Sequence, residues 1–421
     1  MRKITDYQLN QKMIEEYHLN LLEYDKMKKY YNGEHDIIAN YYNIDGRSNS
    51  VVVDNFVQKF IDEEVNYSLG NAITITSRSG DNDIINAINN SIFHWSVDQN
   101  QQLMKLMEIY GTAYELHYID NKGRFCERLL NPTNAMCYCN IDGIPKRFIH
   151  FYSLKYDDSK YYDIYYPDGR IELYKNNKLV QTTKHCFNGV PVSVCKMNNI
   201  SETIYFKIKT LQDAYNQILS NQINTINDYR NAYLIITGAD VDEETAKSLK
   251  SKGLLNLKSK DSSVSWLMKD MNDSYIQNTI TDLKNAMYST CNHIDGNFQM
   301  QSNTSSLAIR SRLLFLEQRC KSMFDYVSNG IYDRLERLFE YLNIKGYNFN
   351  ISDININYNP NIPTDITSTV QAISQLGDKL SHETALSLLP FIESPAVEME
   401  KIRNEKKAME SIDLDKINDY E

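Results

Sequence analysis

The densest clusters of chemistry-bearing side chains in this chain each coincide with a helix or a helix end. Glu34-His35-Asp36 joins an imidazole to two carboxylates, a set able to hold a divalent cation. The turn Asn32-Gly33 just before it favours a helix-terminal role instead. Asp242-Glu243-Glu244 resembles an acidic metal ligand set. Its place at a helix start favours N-terminal capping and dipole stabilisation. Asp62-Glu63-Glu64 lies within an amphipathic helix and reads as its solvated face. Arg310 and Arg312 open a long helix beside a polar loop, where they would face either a phosphate backbone or an acidic neighbouring subunit. The 8 histidines are dispersed, without HxxxH or HxH spacing. The 7 cysteines form no CxxC pair, and Cys137-x-Cys139 has the wrong spacing for a zinc knuckle. No GxxxxGK[ST] or GxGxxG phosphate loop occurs. The residues therefore predict no catalytic constellation, no metal and no cofactor.

Composition narrows the class further. At 421 residues the chain exceeds one typical core, so two or more domains are expected. A content of 42% hydrophobic and 24% charged residues is that of a folded protein. The net charge of -10 argues against general nucleic-acid affinity, which needs a basic surface. Free thiols in a reducing compartment are expected, with no signal peptide at M-R-K-I-T-D-Y-Q and no run long enough to span a membrane.

The elements that must position any site are legible as periodicities. Residues 5–31 and Val51–Leu69 read as amphipathic helices, Ala72–Thr76 as a strand, and 82–95 and 98–110 as helices. From Ala113 to Lys196 the period becomes two, punctuated by Asp142-Gly143, Asp168-Gly169 and similar turns, which predicts an antiparallel meander of about six strands. Helical spacing returns over 202–231 and again over Met271–His293. These two helices bracket a compact insert with a small helix from Asp242 to Gly253 and strands at Leu254–Leu257 and Val264–Leu267. The result is a stalk with a knob. Then comes the loop I-D-G-N-F-Q-M-Q-S-N-T-S-S (294–306), whose single charge is Asp295. Leu313, Leu316, Cys320, Phe324, Val327, Ile331, Leu335, Leu338 and Leu342 follow at the α-helical period. They mark a helix over 307–345 that is roughly 55 Å long at about 1.5 Å per residue. A strand at Phe349–Tyr358 and short helices near Ile366–Leu376 and His382–Leu389 complete the chain.

In this order the segments resemble a known family. Y-Y-N-G-E-H-D-I (30–37), the block from Ser50 to Ile75, G-V-P-V-S-V-C-K-M-N-N (189–199), L-Q-D-A-Y-N-Q-I-L-S-N-Q (211–222), A-Y-L-I-I-T-G (232–238), I-N-Y-N-P-N-I-P-T-D (356–365) and the block 380–402 resemble those of portal proteins of tailed bacteriophages of Gram-positive hosts. That resemblance implies an α+β fold with a wing (1–200 plus the strand region 346–365), stem helices (201–231 and 271–293) and a clip (232–270). It further implies a tunnel loop (294–306), a long kinked helix (307–345) and a helical crown (366–421). It implies a homo-oligomeric ring of twelve at the capsid vertex of the virion, conducting double-stranded DNA. The terminase large subunit, a head–tail adaptor, and major capsid and scaffold proteins would be its partners. Asn297, Gln299, Gln301, Ser302, Asn303 and Thr304 would line the DNA channel. Asp242, Glu243, Lys252, Lys258, Lys260 and Asp261 would dock the terminase or adaptor. A scaffold protein without a DNA channel, or a metal-dependent nuclease, are the rival readings.

Overall fold

The computed structural model describes residues 5–43, 48–229, 233–237, 263–267, 273–295, 306–361, 366–389, 392, 395 and 398–405. Thr5 opens the first helix, α1 (Asp6–Tyr31), through a reciprocal capping box: Gln8 N donates to Thr5 Oγ1 at 3.3 Å and Thr5 N to Gln8 Oε1 at 3.1 Å. A short helix α2 (Asp36–Asn40) precedes α3 (Phe56–Leu69).

Here the structure corrects the sequence expectation. The helix expected from Val51 starts at Phe56, and residues 50–55 are neither helix nor strand. The reason lies more than 150 residues away. In helix α6 (Ile204–Tyr229), Gln212, Asn216, Ser220 and Asn224 form one row, four residues apart. Their side chains bond the backbone of every second residue from Ser50 to Phe56. Phe56 N donates to Gln212 Oε1 at 2.9 Å, Asp54 N to Asn216 Oδ1 at 3.1 Å, Val52 N to Ser220 Oγ at 3.0 Å and Ser50 N to Asn224 Oδ1 at 2.7 Å. Gln212 Nε2 and Asn224 Nδ2 return bonds to the carbonyls of Asp54 and Ser50. Four helical residues rise about 6.0 Å and two strand residues about 6.6 Å, so the two spacings match over several rungs.

Strand β1 (Thr74–Ser77) is antiparallel to β12 (Ile354–Asn357), nearly 280 residues later, so the chain's early and late parts share one body. Helices α4 (Asn82–Ile92) and α5 (Gln99–Tyr110) follow. The single meander expected next is instead two sheets. β2 (Thr112–Ile119) lies between β3 (Phe125–Leu130) and β9 (Val192–Lys196). Five strands form the second sheet in sequential order: β4 (Ala135–Cys139), β5 (Pro145–Ser153), β6 (Lys160–Tyr165), β7 (Arg170–Lys175) and β8 (Lys178–Lys184). Alternation and turns mark each strand locally, but the return of β9 to β2 closes about 80 residues of chain and leaves no local signal.

Helix α6 packs along α7 (Asp273–Cys291). Between them in sequence, β10 (Tyr233–Thr237) pairs antiparallel with β11 (Ser263–Leu267). The helix expected at Asp242–Gly253 and the strand at Leu254–Leu257 lie outside the described residues. Helix α8 (Ser306–Ile344) has 39 residues. Its expected stripe is buried from Leu316 to Leu342, with Leu313 half-buried. One apolar cluster joins α3, α5, α6, α7, α8 and the β1–β12 pair. Gly330 of α8 presses on β9 so closely that an added Cβ would stand 2.4 Å from Cys195 Sγ. A second compact unit comprises Met300–Ser311 and Asn361–Glu421. Besides the start of α8, it holds α9 (Ile366–Leu376) and α10 (His382–Ser387), the latter capped by Ser381, whose Oγ accepts from Thr384 N at 3.2 Å.

Candidate functional site

The described residues at the start of the polar loop are held by charge through His293, just before it, and Asp295, within it. Asp295 meets Lys284 of α7 at 2.5 Å. The His293 side chain is fully buried and stacks on the Phe60 ring of α3, with centroids 4.2 Å apart. Its Nδ1 bonds Glu63 at 2.8 Å and its Nε2 bonds Glu64 Oε1 at 2.8 Å. The same Glu64 oxygen accepts from Arg319 Nε of α8, also at 2.8 Å. One carboxylate thus holds the chain on both sides of the loop in sequence.

Glu64 was expected on a solvated face, and the structure overturns that. Its side chain has no solvent exposure. Its position explains the difference: Glu64 is four residues after Phe60 and three after Ile61, in register with the apolar stripe of α3. Glu108 of α5 stands likewise in the stripe of Leu103, Met104 and Met107. Burial would raise the Glu64 carboxyl, but Arg319 and His293 outweigh it and hold it below the usual carboxylate range. Burial, reinforced by the Glu64 charge, pushes Glu108 well above that range. Neither Glu108 oxygen meets a donor among the described residues. Burial would lower the His293 pKa, but its hydrogen bonds to Glu63 and Glu64 outweigh that and raise it.

A second joint lies further along α8. Arg334 donates to Glu115 of β2 through Nε at 3.0 Å and through Nη2, and to Asn100 of α5 through Nη1 at 2.7 Å. Glu127 of β3 is 3.2 Å from Arg334 Nε, yet neither of its oxygens has an aligned donor. Burial and the neighbouring Glu115 charge raise Glu127 to about 8.

The other clusters resolve as structure. His35 is buried, with Nε2 at 3.1 Å from the Tyr30 carbonyl and Nδ1 at 2.8 Å from Asn216 Nδ2; Asp36 pairs with Lys26 at 2.9 Å and Lys209 at 3.1 Å. His117 and Ser193 are 2.9 Å apart, but both are buried and burial holds His117 neutral, so this pair is closed to substrate. Among the described residues no group of three or more His, Cys, Asp or Glu is placed to hold a metal. No described helix is long and apolar enough to cross a membrane. Asp242, Glu243, Lys252, Lys258, Lys260 and Asp261 lie outside the described residues, as do Asn297, Gln299, Gln301, Ser302, Asn303 and Thr304. Arg310 and Arg312 are on α8, with side chains outside what is described.

Long helices locked by buried charge, with the described polar clusters serving as joints and caps, define a structural assembly subunit. The chain belongs to the phage portal protein family: the model of "Phage portal protein, SPP1 Gp6-like" matches residues 10–411. It is similar to a solved chain from the neck of an empty gene transfer agent particle computed with C6 symmetry. That match has 10% identity and a TM-score of 0.50, and covers 80% of this chain and 90% of that one. A chain from the virion of a native gene transfer agent particle is also similar, at 10% identity and a TM-score of 0.48, covering 79% and 90%. No curated protein sequence matches significantly. The fold of the described residues is mixed α+β with antiparallel sheets.

Proposed function

We propose that this portal protein assembles as a ring of twelve at one capsid vertex and conducts double-stranded DNA during packaging and ejection. In this reading α6 and α7 are the stem, residues 232–270 the clip, 294–306 the tunnel loop, α8 the strut behind it, and 366–421 the crown. Residues 1–200, together with the β1–β12 pairing, supply the wing. The carrying observation is the joint at Glu64, which fixes the residues before and after the polar loop to one buried carboxylate. Residues 296–305 carry no charge. Phosphate contacts from Lys and Arg are what give DNA affinity its strength, so an uncharged loop suits a surface that DNA must slide past. The chain itself performs no catalysis. A terminase ATPase supplies the energy and docks on the clip residues Asp242, Glu243, Lys252, Lys258, Lys260 and Asp261, which the head–tail adaptor later occupies. Major capsid and scaffold proteins surround the ring.

Trimming Asn297–Asn303 tests this reading. Rings should persist in native mass spectrometry and negative-stain images while packaged-DNA yield falls. Unchanged yield would overturn the tunnel role. A monomer within assembled particles would overturn the ring.

A further inference from the structure

Strand β4 carries two thiols on one face. Cys137 Sγ and Cys139 Sγ are 3.8 Å apart, and the strand bulges between Tyr138 and Cys139. Cys137 packs against the apolar cluster of Tyr114 and Phe148 between the two sheets. Cys139 is half-buried at the strand's end. We infer that Cys137 and Cys139 form a reversible covalent site for small-molecule disulfides, with Cys139 as the attacking thiol and Cys137 as the resolving thiol.

The two sulfurs are unequal in the way such exchange requires. The hydrogen bond between the two sulfurs, in which either atom can donate, brings Cys139 down to about 7, with the Lys196 ammonium of β9 assisting. The same bond, together with burial, pushes Cys137 well above the ordinary thiol range. A low-pKa thiol in contact with a second, resolving thiol is the arrangement of exchange-competent cysteines, and both are half-buried here. The step is balanced. The Cys139 thiolate attacks one sulfur of glutathione disulfide, the S–S bond breaks, and one glutathione thiolate leaves and is protonated. Cys137 gives its proton to water and attacks Cys139 Sγ, expelling the second glutathione. Two protein thiols are oxidised and one external disulfide is reduced to two thiols. Residues i and i+2 of a strand have Cα atoms about 6.6 Å apart, at the upper edge of the 4.4–6.8 Å disulfide window.

Cys186, exposed and with its pKa raised by partial burial, is an internal reference thiol. The test treats the full-length folded protein with glutathione disulfide near pH 7, quenches with acid, alkylates, and maps peptides without reduction. Cys139 should react roughly five- to tenfold faster than Cys186, since its larger thiolate fraction outweighs its lower intrinsic nucleophilicity. The peptide holding both cysteines should lose two hydrogens and resist alkylation. In Cys137→Ser the glutathione adduct on Cys139 should persist, and Cys139→Ser should abolish the fast phase. A wild-type protein that modifies Cys186 first and forms no internal bridge would overturn the site, whether or not the variants fold. So would a Cys139→Ser variant that keeps the fast phase.

Discussion

Helix α8 carries two buried arginines, Arg319 and Arg334, and each stands near two glutamates, one of which has its carboxyl raised: Glu108 well above the usual range beside Arg319, and Glu127 to about 8 beside Arg334. They differ in what else they bind. At Arg334 the remaining partners are Asn100, which does not titrate, and the Trp95 ring, whose centroid is 5.4 Å from the guanidinium carbon. At Arg319 the partner Glu64 is shared with His293, which does titrate and lies next to the polar loop. The first joint locks a helix to a sheet. The second locks a helix to the base of a loop with a strength set by protonation. The same device thus serves a fixed contact in one place and an adjustable one in the other.

The largest expected effect separates the joints by their reserves. Arg334→Met leaves Glu115 buried and unpaired and should cost about 3–5 kcal/mol. Arg319→Met should cost less, about 2 kcal/mol, because Glu64 keeps a charged hydrogen bond from His293. Chemical denaturation of both variants checks this, and equal losses would erase the proposed difference. Asn216→Ala removes a rung of the ladder on α6 and leaves Asp54 N and His35 Nδ1 without their Asn216 bonds. A loss of about 1–3 kcal/mol is expected from unsatisfied buried groups, with earlier proteolysis in residues 48–56.

The smallest effects are slopes against pH. His293 is raised in the folded state, so its contribution is fully present below about 6.5 and is lost as pH rises through the folded value. Glu127 is raised to about 8, so the folded state holds a proton that the unfolded state releases near 4.3. Stability should therefore fall with rising pH between those values. His293→Gln should flatten the neutral part of the thermal-stability profile, and Glu127→Gln the part that runs up to about pH 8. Identical profiles in wild type and both variants would show that neither group is linked to folding.

Much of this was legible in the sequence. The stripe of α8 and the stop after Leu69 depend on neighbours within a turn or two. The joints depend on position within a stripe. Asp62-Glu63-Glu64 read as a charge run suggests a wet surface, whereas Glu64 read at four residues from Phe60 points inward. Glu108 and Arg334, three residues after Ile331, carry the same signal. What one chain does not spell out is pairing at a distance: the ladder that holds 50–55 out of the helix, the return of β9 to β2, and the meeting of Glu64 with Arg319 across 255 residues.

The central claim is that the polar loop meets DNA inside a portal ring. A photo-cross-linking amino acid at Gln301, in DNA-filled particles, tests it most directly, with Leu179 on the exposed strand β8 as the control position. The account predicts a protein–DNA adduct from position 301 and none from position 179. No adduct at 301, in particles whose rings and DNA content are normal, would contradict it.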